Sequence, residues 1–472
     1  MLYPLYKNGR LHASVLIPFN AYHAEKSKVL WANIELFHEY GYLQDKHYID
    51  EDCKSWIIGE FSYVTDEQFS NSNQRIFYAE RYGGEGIDYN GGGGRTGLYK
   101  NFQIKGIGST PLISYLSSVS YKNGRCGLAE VIKDAIWGEV GNIILPHGAA
   151  RCFALLEIEC PVSETKRFLS VRENLVRPAH FMRALYFKPK GRFENNSSDG
   201  TRVLKNKEAL NFNLYSISKS SNVIDGLHIM YARWAEQVAF TQAHRLFHGA
   251  LTPSNICLDG KWIDFGTMSS IGRHCNVIIA RGKDPFWMEP NSIAKIIDSF
   301  LYNANKYYFQ EPLDYLSEFN TFKTFYDFYA KINILKALGI RFIKDYNPEF
   351  TSQVNSLTNL IYTYLHINSE ECFFGIPLFD ESTPAYKIHT IILGLVLPIQ
   401  NIEKHIIELI TELESRRIIT IQKTSMNYDF LNVDVIEKEI DFIESISIDY
   451  ESVVDMINQK VFRAKEVFHA NP

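Results

Sequence analysis

The spacing of apolar residues changes once along this chain, and that change constrains the fold more than any other feature. Up to residue 187, short runs rich in aromatic and β-branched residues alternate with glycine: Trp56 to Tyr63, Gln74 to Tyr82, Gly97 to Lys105 and Cys152 to Cys160. Runs of that length and composition read as strands. Between the last two, Gly124 to Val140 sets Leu128, Ile132, Ala135, Ile136 and Val140 at helical spacing and predicts the one helix of this half. From residue 208 onward the period is helical. Val223 to Phe247 predicts a long helix, and helical stretches dominate from Ser292 to a tail in which Ile436, Ile440, Ile443, Tyr450, Val453, Ile457 and Val461 share a face. That period is too irregular for a coiled coil and predicts helices packed on a core. The stretch Lys188 to Lys207 is polar, contains Asn-Asn-Ser-Ser-Asp-Gly, and reads as a disordered insertion at a boundary or a mobile surface loop. The expectation is an α+β chain: a β-rich N-lobe over 1–187, an insertion over 188–207, loop-bearing C-lobe segments over 208–290, and a helical C-terminal extension over 291–472.

Composition removes several classes. With 472 residues, 46% hydrophobic and 22% charged, the chain is long enough for two or three domains of roughly 150 residues and too apolar for general disorder. Its 49 Lys plus Arg against 54 Asp plus Glu give a net charge of −5, and no long basic run offers the footprint that nucleic-acid phosphates require. Seven cysteines, Cys53, Cys126, Cys152, Cys160, Cys257, Cys275 and Cys372, form no CxxC pair, which argues against a disulfide framework or a zinc cage and fits a reducing compartment. Met1 to Ala21 mixes polar residues among apolar ones and lacks the apolar core of a signal peptide. Thr390 to Ile399, the most apolar stretch, is about half the roughly 20 residues needed to cross a bilayer. The reading is a cytoplasmic protein that binds neither nucleic acid nor membrane.

Chemistry concentrates in His248 to Thr267, HGALTPSNICLDGKWIDFGT. A helix ends in His-Gly, a loop leads to Asn255, Asp259-Gly260 makes a tight hairpin, and a strand Trp262 to Phe265 presents Asp264 before Gly266. Asn255 and Asp264 lie nine positions apart across that hairpin, so their oxygens meet at one end, which suits a magnesium ion shared with nucleotide phosphates. An isolated Asp-Phe-Gly more often caps a turn; here His-Gly, Asn and Asp-Phe-Gly occur together and in order.

A second constellation lies earlier. Tyr82 to Thr96 is rich enough in glycine, including Gly93 and Gly94, for backbone amides to approach a polyphosphate, with Arg95 directly after the run. Four consecutive glycines more often form a flexible tip. Lys105, followed by Gly106 and Gly108, ends a predicted strand with an ammonium able to meet phosphate oxygens. Strand lysines are usually solvated; what raises Lys105 above that reading is the following helix, whose Asp134 and Glu139 supply carboxylates to hold it. Arg172, Arg177 and Arg183 add forked guanidinium groups suited to phosphate, each equally readable as a surface arginine.

From about Arg75 to Thr267 these segments resemble the SelO (selenoprotein O) family of kinase-like proteins, which transfer AMP from ATP to protein hydroxyl groups. The resemblance rests on Gly93-Gly94-Arg95, on QIKGIGSTPL from Gln103 to Leu112, on Asn123 to Arg125, on Ile132-Lys133-Asp134, and on the short interval from the His-Gly loop through Asn255 to Asp264. It implies a two-lobed protein-kinase-like fold and the cofactors ATP and magnesium. Lys105 and Arg95 would contact phosphates, Asp134 would stand where the family has its lysine-pairing glutamate, Asn255 and Asp264 would hold the metal, and Arg172 to Arg183 would include the nucleotide-clamping arginines.

The departures are as informative. Phosphotransferases with a His-Gly-Asp loop place their base two residues after the histidine, where this chain has Ala250; SelO proteins place an aspartate just before the metal-binding asparagine, where this chain has Ser254. A serine does not accept a proton near neutral pH, so a hydroxyl acceptor would lose a general-base contribution of about 10²- to 10⁴-fold. Two expectations follow: an AMP transferase whose acceptor is already ionised, such as a peptide carboxylate, or a pseudokinase that binds ATP and a protein partner through its helical C-terminal region. A phosphotransferase is the third reading, disfavoured by Ala250.

Overall fold

The computed structural model describes residues 8–84, 90–114, 119–159, 166–185, 187, 199–272, 275–279, 283–343, 351–373, 384–424 and 428–470. It is an α+β structure built on an eight-stranded antiparallel sheet. In chain order its strands are β1 (Leu16–His23), β2 (Ser27–Ala32), β3 (Tyr63–Val64), β4 (Gln74–Glu80), β5 (Thr96–Tyr99), β6 (Phe102–Lys105), β7 (Cys152–Ile158) and β8 (Arg167–Glu173), arranged β2-β7-β8-β6-β5-β4-β1-β3. Side chains alternate across this sheet. On β6, Phe102 and Ile104 enter an aromatic layer with Phe37, Phe61, Phe77 and Phe153, which leaves Gln103 and Lys105 on the opposite face.

Two strand expectations are corrected. Trp56 to Tyr63 lies mostly in helix α1 (Glu51–Phe61), capped where the Asp50 side chain accepts from the Cys53 N–H at 2.8 Å. Its buried positions Cys53, Ile57 and Phe61 recur every four residues, and the aromatic content masked that period. Gly97 to Lys105 is not one strand but the β5–β6 hairpin, in register Thr96↔Lys105 to Tyr99↔Phe102, with Lys100 at φ 55 in the turn. Gln74–Glu80 and Cys152–Ile158 form strands as read. Within Tyr82 to Thr96, residues 85–89 lie outside the described residues, and the rest is packed rather than flexible: Gly92, at φ 99, lies so close to the Glu80 carbonyl that a Cβ would sit 2.0 Å from its oxygen.

The predicted helix of the first half is α2 (Leu128–Ile144), which covers the Lys105 face of the sheet. Of the polar insertion, 188–198 lies outside the described residues, whereas Asp199–Lys205 is helical and a second helix, Lys207–Ser218, follows. This corrects the disordered reading. Asp199 is fully buried, accepting from Arg202 Nε at 2.7 Å and from the Ala184 N–H at 2.5 Å, and Arg202 donates to the His180 and Met182 carbonyls. Polar composition here builds a satisfied internal network rather than a solvated loop.

Helix α3 (Val223–Ala243) ends before Leu246–Phe247, which pairs with Ser269–Ser270 and so clamps the intervening loops. Helix α4 (Glu289–Tyr307) packs beside it. Helices Tyr315–Ala337, Thr351–Ile367, Pro384–Ile392 and Asn401–Ser415 build a separate apolar cluster. The tail forms two helices, Val433–Ile446 and α5 (Tyr450–Ala470). Ile436, Ile440, Val453 and Ile457 are buried in one core with α2, and Lys133 on α2 pairs with Glu437 at 2.8 Å. The end of the chain therefore braces the helix that faces Lys105. Among the described residues no helix is long and apolar enough to cross a membrane.

Candidate nucleotide and metal site

A cavity of ≈ 420 Å³ lies where the sheet face meets the loops after α3, within the roughly 300–1,000 Å³ of small-ligand sites. Register places its inner wall. Gln103 and Arg172 are directly opposed on β6 and β8, and Arg172 Nε donates to Gln103 Oε1 at 2.8 Å. Lys105, two residues along, projects from the same face. Its ammonium reaches Asp134 on α2 at 3.1 Å, Glu130 one turn earlier at 2.9 Å, and Asp264 at 2.6 Å. Arg95 holds Glu130 with both Nη atoms, at 2.9 and 2.5 Å, and lies 4.6 Å from the Tyr121 ring centre. Arg172 Nη1 reaches Asp134 at 3.4 Å.

Three acids, Glu130, Asp134 and Asp264, thus face three cations, Lys105, Arg95 and Arg172, and the cluster is neutral. Burial raises the Glu130 carboxyl, but Lys105 and Arg95 outweigh it and hold it at about 2. For Asp264 burial likewise pushes up, and Lys105, Arg172 and Arg95 hold it well below the ordinary carboxylate range. The Lys105 ammonium is kept charged against its own burial by Asp134, Asp264 and Glu130.

The hairpin after α3 forms as the Asp259-Gly260 pair dictates. Cys257 N–H bonds Lys261 O at 2.8 Å and Ile263 N–H bonds Asn255 O at 3.1 Å, which brings Asn255 beside Asp264. The predicted strand Trp262 to Phe265 is reduced to bridges from Trp262 to Ile256 and Ala149, because the chain turns at Asp264, where φ is 69. Aspartate is among the few side chains that tolerate this conformation. His248 is buried, its Nε2 3.2 Å from Ile263 O, and burial lowers its pKa to about 4, so it fastens the loop as a neutral ring. Asn255 Nδ2 donates to Ala250 O at 2.9 Å, which fixes the amide and leaves Oδ1, 3.2 Å from Ser254 Oγ, as the acceptor.

Of the residues singled out by sequence, Gly93, Gly94, Arg95, Lys105, Arg172, Arg177, Asn255 and Asp264 line this one cavity, with Asp134 directly behind Lys105. Arg177 is buried, with Nη2 2.8 Å from Glu80 and Nη1 3.3 Å from Ser254 O. Three expected residues do not line it. Gly106 turns the chain at φ 89 and offers its carbonyl to Arg167; Gly108 packs against Thr65, whose Oγ1 a Cβ would meet at 2.0 Å; Arg183 is exposed and its N–H bonds Asn303 at 2.9 Å. Glu139, also expected near Lys105, instead pairs with Arg151 at 2.8 Å on another turn of α2. Sequence reasoning missed Glu130, although its position four residues before Asp134 put it on the same helix face, and missed Tyr82, Tyr121 and Lys283, which carry no motif.

Among the described residues no group of three or more His, Cys, Asp or Glu could hold a metal ion unaided. One carboxylate and one amide oxygen fit magnesium only as partial ligands, completed by phosphate oxygens and water. No family model matches this sequence, and no curated protein matches it significantly.

Proposed function

We propose that this protein is a magnesium- and ATP-dependent nucleotidyltransferase of two-lobed, kinase-like architecture, similar to SelO proteins, that moves AMP from ATP to a protein or peptide acceptor. The observation that carries this reading is the character of the inner wall. Gln103, Lys105, Arg172 and Arg177 are 1%, 1%, 5% and 4% exposed, so the inner wall of the cavity is built of buried N–H donors, its three cations each paired with a carboxylate, where a purine would need a flat apolar slot. Such a wall takes the terminal phosphates. Tyr121, 39% exposed, and Ile113 give the base a face nearer the mouth. With the β- and γ-phosphates inward, the α-phosphate is the one an incoming acceptor meets.

In this reading Lys105, Arg95, Arg172 and Arg177 hold phosphate oxygens, and Asn255 and Asp264 hold the metal. The ion, when bound, offsets negative charge on the phosphates during transfer. An acceptor oxygen forms the new bond to the α-phosphorus, the bond to the bridging oxygen breaks, and pyrophosphate leaves toward the cations of the inner wall. Neither Ala250 nor Ser254 can take a proton, which favours an acceptor that arrives ionised. Incubation with ATP labelled separately on its α- and γ-phosphates tests the reading: α-label on an acceptor is expected, and γ-label alone overturns it in favour of a phosphotransferase.

A pseudokinase is the second reading. The same two missing bases favour it, as does an exposed apolar run in the helical C-terminal region, Leu395, Leu397 and Ile399 at 70%, 83% and 74% exposure, which suits a protein partner. Mg·ATP binding with no label transferred would support it.

A further inference from the structure

A second cavity, of ≈ 210 Å³, opens beside the first and shares Ala250, Thr252 and Lys283 with it. It lies between the His-Gly loop and the N-terminal turn of α4. Anything seated here presents its inner end at Ala250, the position from which a phosphotransferase of this loop type would supply its base. Phe247, Leu251 and Ile296 give part of the wall apolar character.

Its polar groups can be accounted for one by one. Asp284 is satisfied by Lys295, at 2.8 and 2.9 Å, and by Ser292 Oγ at 2.9 Å. Glu289, 2% exposed, accepts from the Gly249 N–H at 2.8 Å through Oε1, while its Oε2 has no hydrogen-bond partner among the described residues. Lys283 pairs with no carboxylate among the described residues and stands where the two cavities join. The cavity therefore offers one cation at the junction and one buried carboxyl oxygen awaiting a partner.

Resting on the nucleotidyl-transfer reading, we infer that this cavity seats the acceptor and that the acceptor presents a carboxylate, held at the junction by Lys283 and facing Glu289. Burial raises the Glu289 carboxyl to about 8, against the pull of the Gly249 and His248 amides and with a smaller push from the Asp284 charge, so near neutral pH it is a neutral acid that donates to an anion instead of repelling it. In the step itself a carboxylate oxygen bonds to the α-phosphorus, the bond to the bridging oxygen breaks, and pyrophosphate leaves with the electron pair. No proton moves, which matches the absence of a base at Ala250 and Ser254. The product is a mixed anhydride of the acceptor with AMP.

The 472-residue chain is incubated with Mg²⁺, α-phosphate-labelled ATP and N-acetylserine as the carboxylate probe, or N-acetylserine amide as the hydroxyl-only probe, then quenched with hydroxylamine. The expected result is a hydroxamate and labelled AMP from the first probe and nothing from the second. Ser292→Phe, which fills the cavity from a half-buried helix position, is expected to cut the yield about a hundredfold by displacing the acceptor while Mg·ATP affinity and circular dichroism stay unchanged. Glu289→Gln, which donates at every pH and keeps the oxygen that meets Gly249, is expected to abolish the fall in yield that the wild-type protein shows as pH rises past about 8. Hydroxylamine-stable label on the amide probe, lost in Glu289→Gln, would establish a hydroxyl acceptor with Glu289 as base and overturn the assignment. So would an unchanged yield in Ser292→Phe, or no product from either probe in a protein that binds Mg·ATP. Failure to bind Mg·ATP sinks the parent reading instead.

Discussion

Glu130→Gln removes one charge from the cluster around Lys105 while keeping the side chain's volume and one oxygen for Arg95. In the folded protein the carboxyl is held at about 2 against an ordinary 4.5, because Lys105 and Arg95 outweigh the cost of its burial. Two and a half pH units at about 1.4 kcal/mol each give roughly 3.5 kcal/mol of stability at neutral pH. The side chain is 23% exposed, so screening trims that figure without abolishing it. The sign follows from the depressed folded value. The contribution is complete above the unfolded pKa and drains away as pH falls from there towards about 2. Urea unfolding followed by the fluorescence of buried Trp137, Trp234 and Trp262 is therefore expected to show a deficit of about 2–3 kcal/mol at pH 7. That deficit should narrow steadily once the pH drops below the unfolded value. A constant deficit at every pH would mean that Glu130 matters through packing, and no deficit at pH 7 would mean that the ion pairs contribute nothing net; either result refutes the electrostatic account.

Three further outcomes separate the parts of the site. Arg172→Met should weaken Mg·ATP binding, measured by calorimetric titration, about ten- to a hundredfold, the usual worth of a charge-assisted contact, whereas Arg183→Ala should leave it unchanged, since Arg183 is exposed away from the cavity. Gly92→Ala should destabilise the fold by more than about 1 kcal/mol, because its Cβ would meet the Glu80 carbonyl at 2.0 Å; a thermal midpoint equal to wild type would contradict the packed-turn description. Asp264→Ala should leave nucleotide affinity insensitive to magnesium, measured with and without a chelator.

The chemistry-bearing segments were more legible in the sequence than the elements that carry them. The hairpin placing Asn255 beside Asp264 could be read because Asp259-Gly260 is a local turn signal that needs no tertiary partner. Lys105 and Asp134 could be paired because a strand lysine followed by an acid-bearing amphipathic helix is a pattern visible in one dimension. Helix α1 was hidden because its aromatic residues, which pack against Phe37, mimic strand composition. Asp199 and Arg202 were hidden because nothing local distinguishes a solvated Asp or Arg from one that satisfies buried carbonyls. Arg172 and Arg183 illustrate the same limit: the residue type was equally suggestive at both, but the β6–β8 register puts Arg172 beside Gln103, whereas Arg183 lies beyond β8 and is exposed.

The tight contact between Lys105 and Asp264 also dictates how the two proposed ligands must arrive. Lys105 serves three carboxylates at once, the shortest contact being the 2.6 Å to Asp264. A polyphosphate entering alone would bring several negative charges to a cluster that is already neutral, and could win Lys105 only by leaving acids without a partner, at several kcal/mol for each one buried. Magnesium entering alone would find one carboxylate already engaged and one amide oxygen, too few ligands to replace its water. With both present, Asp264 would leave Lys105 to hold the ion, Lys105 would turn to the phosphates, and Glu130 and Asp134 would keep the ammonium in place. Metal and nucleotide should therefore bind as one coupled event. Calorimetric titration of magnesium into nucleotide-free protein is expected to show no site, and each ligand should tighten the other by the same factor. A magnesium site of equal affinity in the presence and absence of ATP would place the metal somewhere other than Asn255 and Asp264.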